Sequence, residues 1–318
     1  MYPYPRIIFF GTPVFAAYSL RKIVESGYDV VCIVTAPDKP AGRGLRIKIP
    51  PVKETAAEMG IQVLQPANLK DQSFQKQLAS LKPELQIIVA FRMLPTSVWA
   101  IPPLGTINLH ASVLPQYRGA APINWAIING ENQTGLTTFR LNENIDTGNI
   151  LLTSSLTIGP EENAGELHDR LMEAGADLLL KTIDGIVKGV IHEKSQTDIL
   201  DDNIILNPAP KLTREHCHIN WDQSITHIHY KIRGLSPYPG AYTELPINDG
   251  NKLFLKIFKS SCIFTDEIQV PGKVLTDGRN YLTVTGKDGY ISILKLQPSG
   301  RKPLNIQDFL NGFGKMFV

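Results

Sequence analysis

From its first residues the chain alternates two periodicities, and that alternation limits the folds open to it. "RIIFFG" is a continuous apolar run, Pro13 to Ser26 carries a helical pattern, and "DVVCIVT", Asp29 to Thr35, is a second apolar run. A short run apolar on both faces is a strand of a covered parallel sheet, and the helical stretch between two such runs is the crossover joining them. Further strands are expected at "IQVLQ", at "LQIIVA" from Leu85 to Ala90, at "TINLHA" and at "GLTTFRL", with helices near 53–59, 71–81 and 122–129. The expected class is α/β: a mostly parallel, Rossmann-like sheet with helices on both faces. The first strand-to-helix junction, "FFGTPVFA", holds one glycine instead of G-x-G-x-x-G, which argues against a dinucleotide site. Pro13 belongs at the helix start, where a missing N–H costs little.

A long helical pattern from Asn163 to about Lys188 follows, and then a polar stretch, "EKSQTDILDDN", that reads as a linker. Beyond it the pattern changes. "KLFLKIFKSSCIF", "GKVLTDGRNYLTVTG" and "YISILKLQ" are strand-like and broken by the turn signals "TDGR" and "GKDG". A C-terminal antiparallel β-barrel of OB-like type is expected, preceded by a helix near 224–233. The organisation read from this is a domain over 1–189, a linker over 190–207 and a second domain over 208–318. A chain of 318 residues, 43% of them apolar, is long enough for two cores.

The net charge of +2 hides an asymmetry. Residues 1–207 carry 18 Lys+Arg against 21 Asp+Glu, net −3, and residues 208–318 carry 14 against 9, net +5. A basic module attached to an acidic one points to a polyanionic partner. No apolar run approaches the roughly 20 residues of a membrane helix, so a cytoplasmic protein with no membrane partner is expected. Cys32, Cys217 and Cys262 lack the paired spacing of a metal or redox site and are expected as free thiols; no metal is expected.

Two segments carry chemistry. "APDKPAGRGLRIKIPPVK", Ala36 to Lys53, sets Lys39, Arg43, Arg46, Lys48 and Lys53 in a stretch with no acid after Asp38. Its prolines are expected to keep it out of helix and strand, and a long loop at the carboxyl end of a strand is where α/β sheets bind ligands. In "GTINLHASVLPQYRGAAP", Gly105 to Pro122, strand periodicity points Asn108 and His110 to one face and Ile107 and Leu109 to the other. The strand leads into a proline-containing loop, and Asp146 follows in the polar turn "LNENIDTGNILL", within reach of the imidazole. No nucleophilic serine or cysteine is placed nearby, and Ser112 lacks a G-x-S-x-G elbow. Asn, His and Asp without metal spacing suit a reaction whose substrate brings its own nucleophile.

"INLHASVLPQYRGAAP" followed by "DTGNIL" resembles the signature of the folate-dependent formyltransferases. "GTPVFA", "PDKPAGRG" and the module beginning near "KLTREHCHINW" are similar to the branch that formylates an aminoacyl-tRNA. The resemblance implies transfer of a formyl group from 10-formyltetrahydrofolate to the α-amine of methionine on initiator tRNA, by a protein for which a monomer suffices. It implies Asn108, His110 and Asp146 as catalytic residues. It also implies folate contacts from Phe91, Arg92, Met93 and Leu94 and from Ser112, Val113, Leu114 and Pro115. The basic loop, with Lys39, Arg43, Arg46 and Lys48, would meet the acceptor end of the tRNA. Two positions depart from the pattern: Arg92 stands where a residue without a side chain is usual, and Val113 replaces a leucine.

Overall fold

The computed structural model describes residues 4–41, 46–199, 205–267 and 270–318. Two compact units emerge. One comprises residues 1–119, 134–156 and 168–208, and the other comprises 120–133, 157–167 and 209–318.

The first unit begins with strand β1 (Ile7–Gly11), helix α1 (Val14–Glu25), strand β2 (Val30–Val34), the short strands β3 (Lys39–Ala41) and β4 (Arg46–Lys48), and helix α2 (Pro51–Glu58). Strand β5 (Val63–Leu64), helix α3 (Gln72–Ser80), strand β6 (Leu85–Val89), helix α4 (Thr96–Trp99) and strand β7 (Thr106–His110) complete its first half. Helix α5 (Pro122–Ile128), which belongs to the second unit, precedes strands β8 (Gln133–Arg140) and β9 (Ile150–Thr157), and helix α6 (Ala164–Lys188) follows. The seven-stranded sheet runs β5-β2-β1-β6-β7-β8-β9. β1 pairs in parallel with β2 and β6, β6 in parallel with β7, and β8 joins β7 antiparallel. Every residue of β1 and β6 is buried, as strands covered on both faces require. α1 starts after Pro13 and turns Phe15, Ala16, Leu20 and Ile23 inward. Asp71 caps α3 by accepting the Phe74 N–H at 3.0 Å.

Two expectations for this unit need correction. The basic segment, expected to be free of strand, forms an antiparallel ribbon in which Lys39 faces Lys48 and Pro40 faces Ile47. A two-stranded ribbon is all edge, so Pro40 can sit in it without a lost ladder bond. The polar stretch expected as a linker is packed in its described part. Lys194 exchanges both backbone hydrogen bonds with Ile150, at 2.8 and 2.9 Å, and Gln196 is only 2% exposed. The Gln196 carboxamide is bonded to backbone carbonyls, while Glu193, Lys194, Thr197 and Asp198 around it are exposed.

In the second unit, α7 (Arg214–Cys217) and α8 (Ile225–Gly234) lead into β10 (Ala241–Pro246), β11 (Lys252–Phe264), β12 (Val274–Thr276), β13 (Leu282–Thr285), β14 (Gly289–Pro298) and β15 (Leu304–Asn305). α9 (Ile306–Phe313), which has no counterpart among the sequence expectations, follows. The strands form one barrel-like antiparallel sheet in the order β10-β11-β14-β13-β12, with β15 on β14. Register shifts near Lys259 mark irregularities in the long strand β11, which bend and twist a sheet around its core. That core contains Ile228 and Ile232 of α8, Leu255, Ile257, Val284, Ile291 and Leu296 of the strands, and Phe309 of α9. α5 lies on α8, where the Asn124 carboxamide donates to the Gly234 carbonyl at 2.7 Å. Among the described residues, no helix is long and apolar enough to cross a membrane. Cys32 and Cys217 are buried free thiols, and Cys262 is half-buried.

Candidate active site at the end of strand β7

β7 is an interior strand: Ile88 of β6 lies beside Asn108 on one edge and Phe139 of β8 on the other. Ile107 and Leu109 face the core. A Cβ added to Gly175 of α6 would meet the Leu109 side chain at 2.9 Å, which shows how closely the helix backbone covers that face. Asn108 and His110 share the opposite face, as the twofold strand period demands. Asn108 is half-buried and its carboxamide has no hydrogen-bond partner among the described residues. His110 is buried.

Two contacts fix the imidazole. Its Nε2 lies 2.8 Å from the Tyr117 carbonyl oxygen; a carbonyl only accepts, so Nε2 carries the proton there. Its Nδ1 lies 3.7 Å from Oδ2 of Asp146, within ion-pair range. Asp146 sits in the turn between β8 and β9 with φ 54°, in the left-handed region, and its Oδ2 accepts the Gly119 N–H at 2.9 Å. Gly148, two residues on, crosses so close to the end of β8 that a Cβ would stand 1.6 Å from the Arg140 carbonyl oxygen. Only glycine passes there, which is the physical content of "DTG". The turn holding Tyr117 is fastened in its own right: Tyr117 N–H donates to Asn207 O at 2.7 Å, and Ser112 Oγ donates to Gln116 O at 2.6 Å.

The loops expected to hold folate leave the carboxyl ends of the adjacent parallel strands β6 and β7. After β7, Thr137 Oγ1 of β8 donates to Ser112 O at 2.7 Å and accepts the Leu114 N–H at 3.0 Å, fixing the backbone from Ser112 to Leu114. Leu114 and Pro115 are buried and Val113 is half-buried. After β6, Leu94 is buried, Phe91 packs its edge on Phe10 at 5.7 Å, and Met93 is 73% exposed. The Arg92 guanidinium donates to the Ala67 carbonyl at 2.9 Å and to the Pro66 carbonyl, so its charge is engaged by the 66–67 backbone.

Of the basic loop, Lys39 and Lys48 are exposed and directly opposite each other on the ribbon. Arg43 lies outside the described residues, and of Arg46 only the backbone is described. Lys53 is drawn away from this set by Asp38, at 2.6 Å. Bonds from Lys53 and then Gln65 hold the Asp38 carboxyl below its ordinary value. Sequence reasoning missed Gln196. Its Nε2 donates to the carbonyls of Asp146, at 2.9 Å, and Gly148, at 2.8 Å, while its Oε1 accepts from Arg118. Among the described residues no group of three or more His, Cys, Asp or Glu is placed to hold a metal.

Residues 5–183 match the formyl transferase family and residues 211–314 its C-terminal domain. A methionyl-tRNA formyltransferase from Parabacteroides distasonis is 48% identical over 309 residues, covering 97% of this chain and 95% of that one. The chain belongs to the methionyl-tRNA formyltransferase family. A second member of this family, from Flavobacterium johnsoniae, is 48% identical over 307 residues, covering 96% of each chain. Among solved structures, HypX from Aquifex aeolicus in complex with tetrahydrofolic acid superposes with a TM-score of 0.63 at 18% identity, over 98% of this chain and 48% of that longer one. At that identity the likeness shows the fold. The family match spans both kinds of sheet found here, the parallel-rich and the antiparallel.

Proposed function

We propose that this chain transfers the formyl group of 10-formyltetrahydrofolate to the α-amino group of methionine on initiator methionyl-tRNA, as a cytoplasmic enzyme. The observation that carries this reading is near-half identity, over almost the whole chain, to proteins of that name. The grouping of Asn108, His110 and Asp146 at the carboxyl end of β7 supports it, because open α/β sheets bind ligands there.

The donor supplies an activated formyl carbon. The backbone from Ser112 to Leu114, pinned by Thr137, and the Phe91 to Leu94 loop with Arg92, Met93 and its exposed apolar surface suit one wall of a flat heterocycle. A free α-amine has a pKa of about 8, so a usable fraction is neutral near pH 7 and no strong base is needed. As its nitrogen bonds to the formyl carbon, the carbonyl oxygen becomes negative. The unengaged Asn108 N–H group donates to it. The amine loses one proton and the departing folate nitrogen gains one as the carbon–nitrogen bond to the donor breaks. His110 passes that proton through Nδ1, the nitrogen not committed to Tyr117, which faces the Asp146 carboxylate at 3.7 Å. Lys39, Arg43, Arg46 and Lys48 are proposed to meet the phosphates of the tRNA, with the basic stretch 208–318 as a second source of positive charge.

The test is acceptor identity. With 10-formyltetrahydrofolate, the purified chain is expected to formylate methionyl-tRNA and to leave a nucleotide amino-sugar and glycinamide ribonucleotide unmodified. Turnover of either small amine with none of the tRNA would sink the reading.

A further inference from the structure

We propose that Gln196 is a positioning residue for the reaction, holding Asp146 in register with His110. The inference rests on the proposed catalytic role of Asp146.

Four hydrogen bonds converge on one buried carboxamide. Gln196 is 2% exposed, and its two N–H groups donate to the carbonyls of Asp146 and Gly148. Its oxygen accepts from Nε of Arg118 at 3.1 Å and from a terminal guanidinium nitrogen at 2.6 Å. Every donor and acceptor of the side chain is thereby used, half toward one turn and half toward another. Those are the two turns that act on the imidazole. The 146–148 turn carries the carboxylate facing His110 Nδ1. The 117–119 turn carries the carbonyl facing His110 Nε2 and, at Gly119, the N–H that holds Asp146 Oδ2. A closed ring results, from Gln196 to Asp146, across to Gly119, back one residue to Arg118, and on to Gln196.

That ring has something to restrain. Asp146 and Tyr117 occupy left-handed backbone, at φ 54° and 59°, which residues with a Cβ adopt only when surrounding contacts hold them. The turn carbonyls could not be tied equally by other residue types. Asparagine is one methylene too short to span the same partners, and glutamate would aim a carboxylate oxygen at two carbonyl oxygens. The segment that presents Gln196 is anchored without it, through the Lys194–Ile150 backbone pair and the Arg140–Glu193 ion pair at 2.9 Å. Loss of the side chain therefore loosens the turns without releasing the segment.

The test is steady-state formylation by Q196A, Q196M, D146N and the double variant Q196A/D146N, with melting temperatures recorded for each. Q196M fills the volume without donors and serves if Q196A does not fold. The expected result for Q196A or Q196M is a kcat reduced about tenfold, with KM for folate and for tRNA within about twofold, because a misplaced group costs rate more than binding. In the D146N background the same change is expected to reduce kcat by less than about twofold, since it acts through a carboxylate already gone. Wild-type kcat in Q196A and Q196M, or a full tenfold loss added to that of D146N, would overturn the inference. Wild-type kcat in D146N would overturn the catalytic reading of Asp146 and the inference with it, and that result is seen in the single variant alone.

Discussion

His110 is held from both sides, and the two sides do different work. The Tyr117 carbonyl accepts the Nε2 proton and so fixes the ring, which leaves Nδ1, facing Asp146, for the proposed proton transfer. Asn108 is the converse case: its carboxamide has no hydrogen-bond partner among the described residues, which suits its proposed role as donor to a developing oxyanion. N108A and H110A are each expected to lower kcat by about 10² or more, with folate binding little changed, as measured by single-turnover formylation and ligand titration. Near-wild-type turnover in either would remove that residue from the chemistry. The sequence exposed this trio because strand periodicity puts Asn108 and His110 on one face, and because a turn containing Asp146 follows one strand later. Gln196 left no such trace. It meets Asp146 across 50 residues of chain, and a glutamine in a polar stretch has the same composition whether its amide faces water or two carbonyls.

At the scale of elements, most strands and helices with a repeating apolar pattern were legible, although α9 was missed, and the ribbon made by pairing alone was not. β1, β6, α1 and α6 each bury a face that apolar spacing announces. β3 and β4 have no apolar face to bury; Ile47 is 70% exposed, and their ribbon is a matter of backbone pairing. The signal "TDGR" did locate a turn, between β12 and β13. There the Asp277 carboxylate accepts the N–H groups of Asn280, at 2.7 Å, and Arg279, at 2.9 Å. These bonds, that from Asn280 foremost, hold its carboxyl well below the ordinary value. A carboxyl lowered by folding stabilises the fold above its unfolded pKa of about 4 and loses that contribution as pH falls toward the folded value. D277N is therefore expected to melt below the wild type at pH 7, with the gap closing as the pH is lowered from about 4. Melting curves over that range check it, and a gap constant with pH would show that the charge of Asp277 contributes nothing to the turn.

The whole molecule joins an acidic sequence half to a basic one, and the second sheet carries that imbalance on its surface. Lys259 of β11 and Lys295 of β14 are both exposed and are partners across the sheet, at the irregularity where the register of β11 shifts. Like charges so placed weaken a sheet, and a protein selected for stability alone gains by replacing one of them. A phosphate backbone would screen the pair in use, which is what the proposed acceptor would bring. The two demands can be set against each other in one variant. K295E turns the repulsive pair into an attractive one and is expected to stabilise the fold by up to about 1 kcal/mol, read from denaturant unfolding. The same variant is expected to raise KM for methionyl-tRNA and to reduce by about 1 or more the slope of log(kcat/KM) against log salt, while KM for folate stays as it was. A stabilised protein with unchanged tRNA kinetics and salt slope would mean that this lysine pair does not face the nucleic acid, and the charge on 208–318 would need another patch to act through.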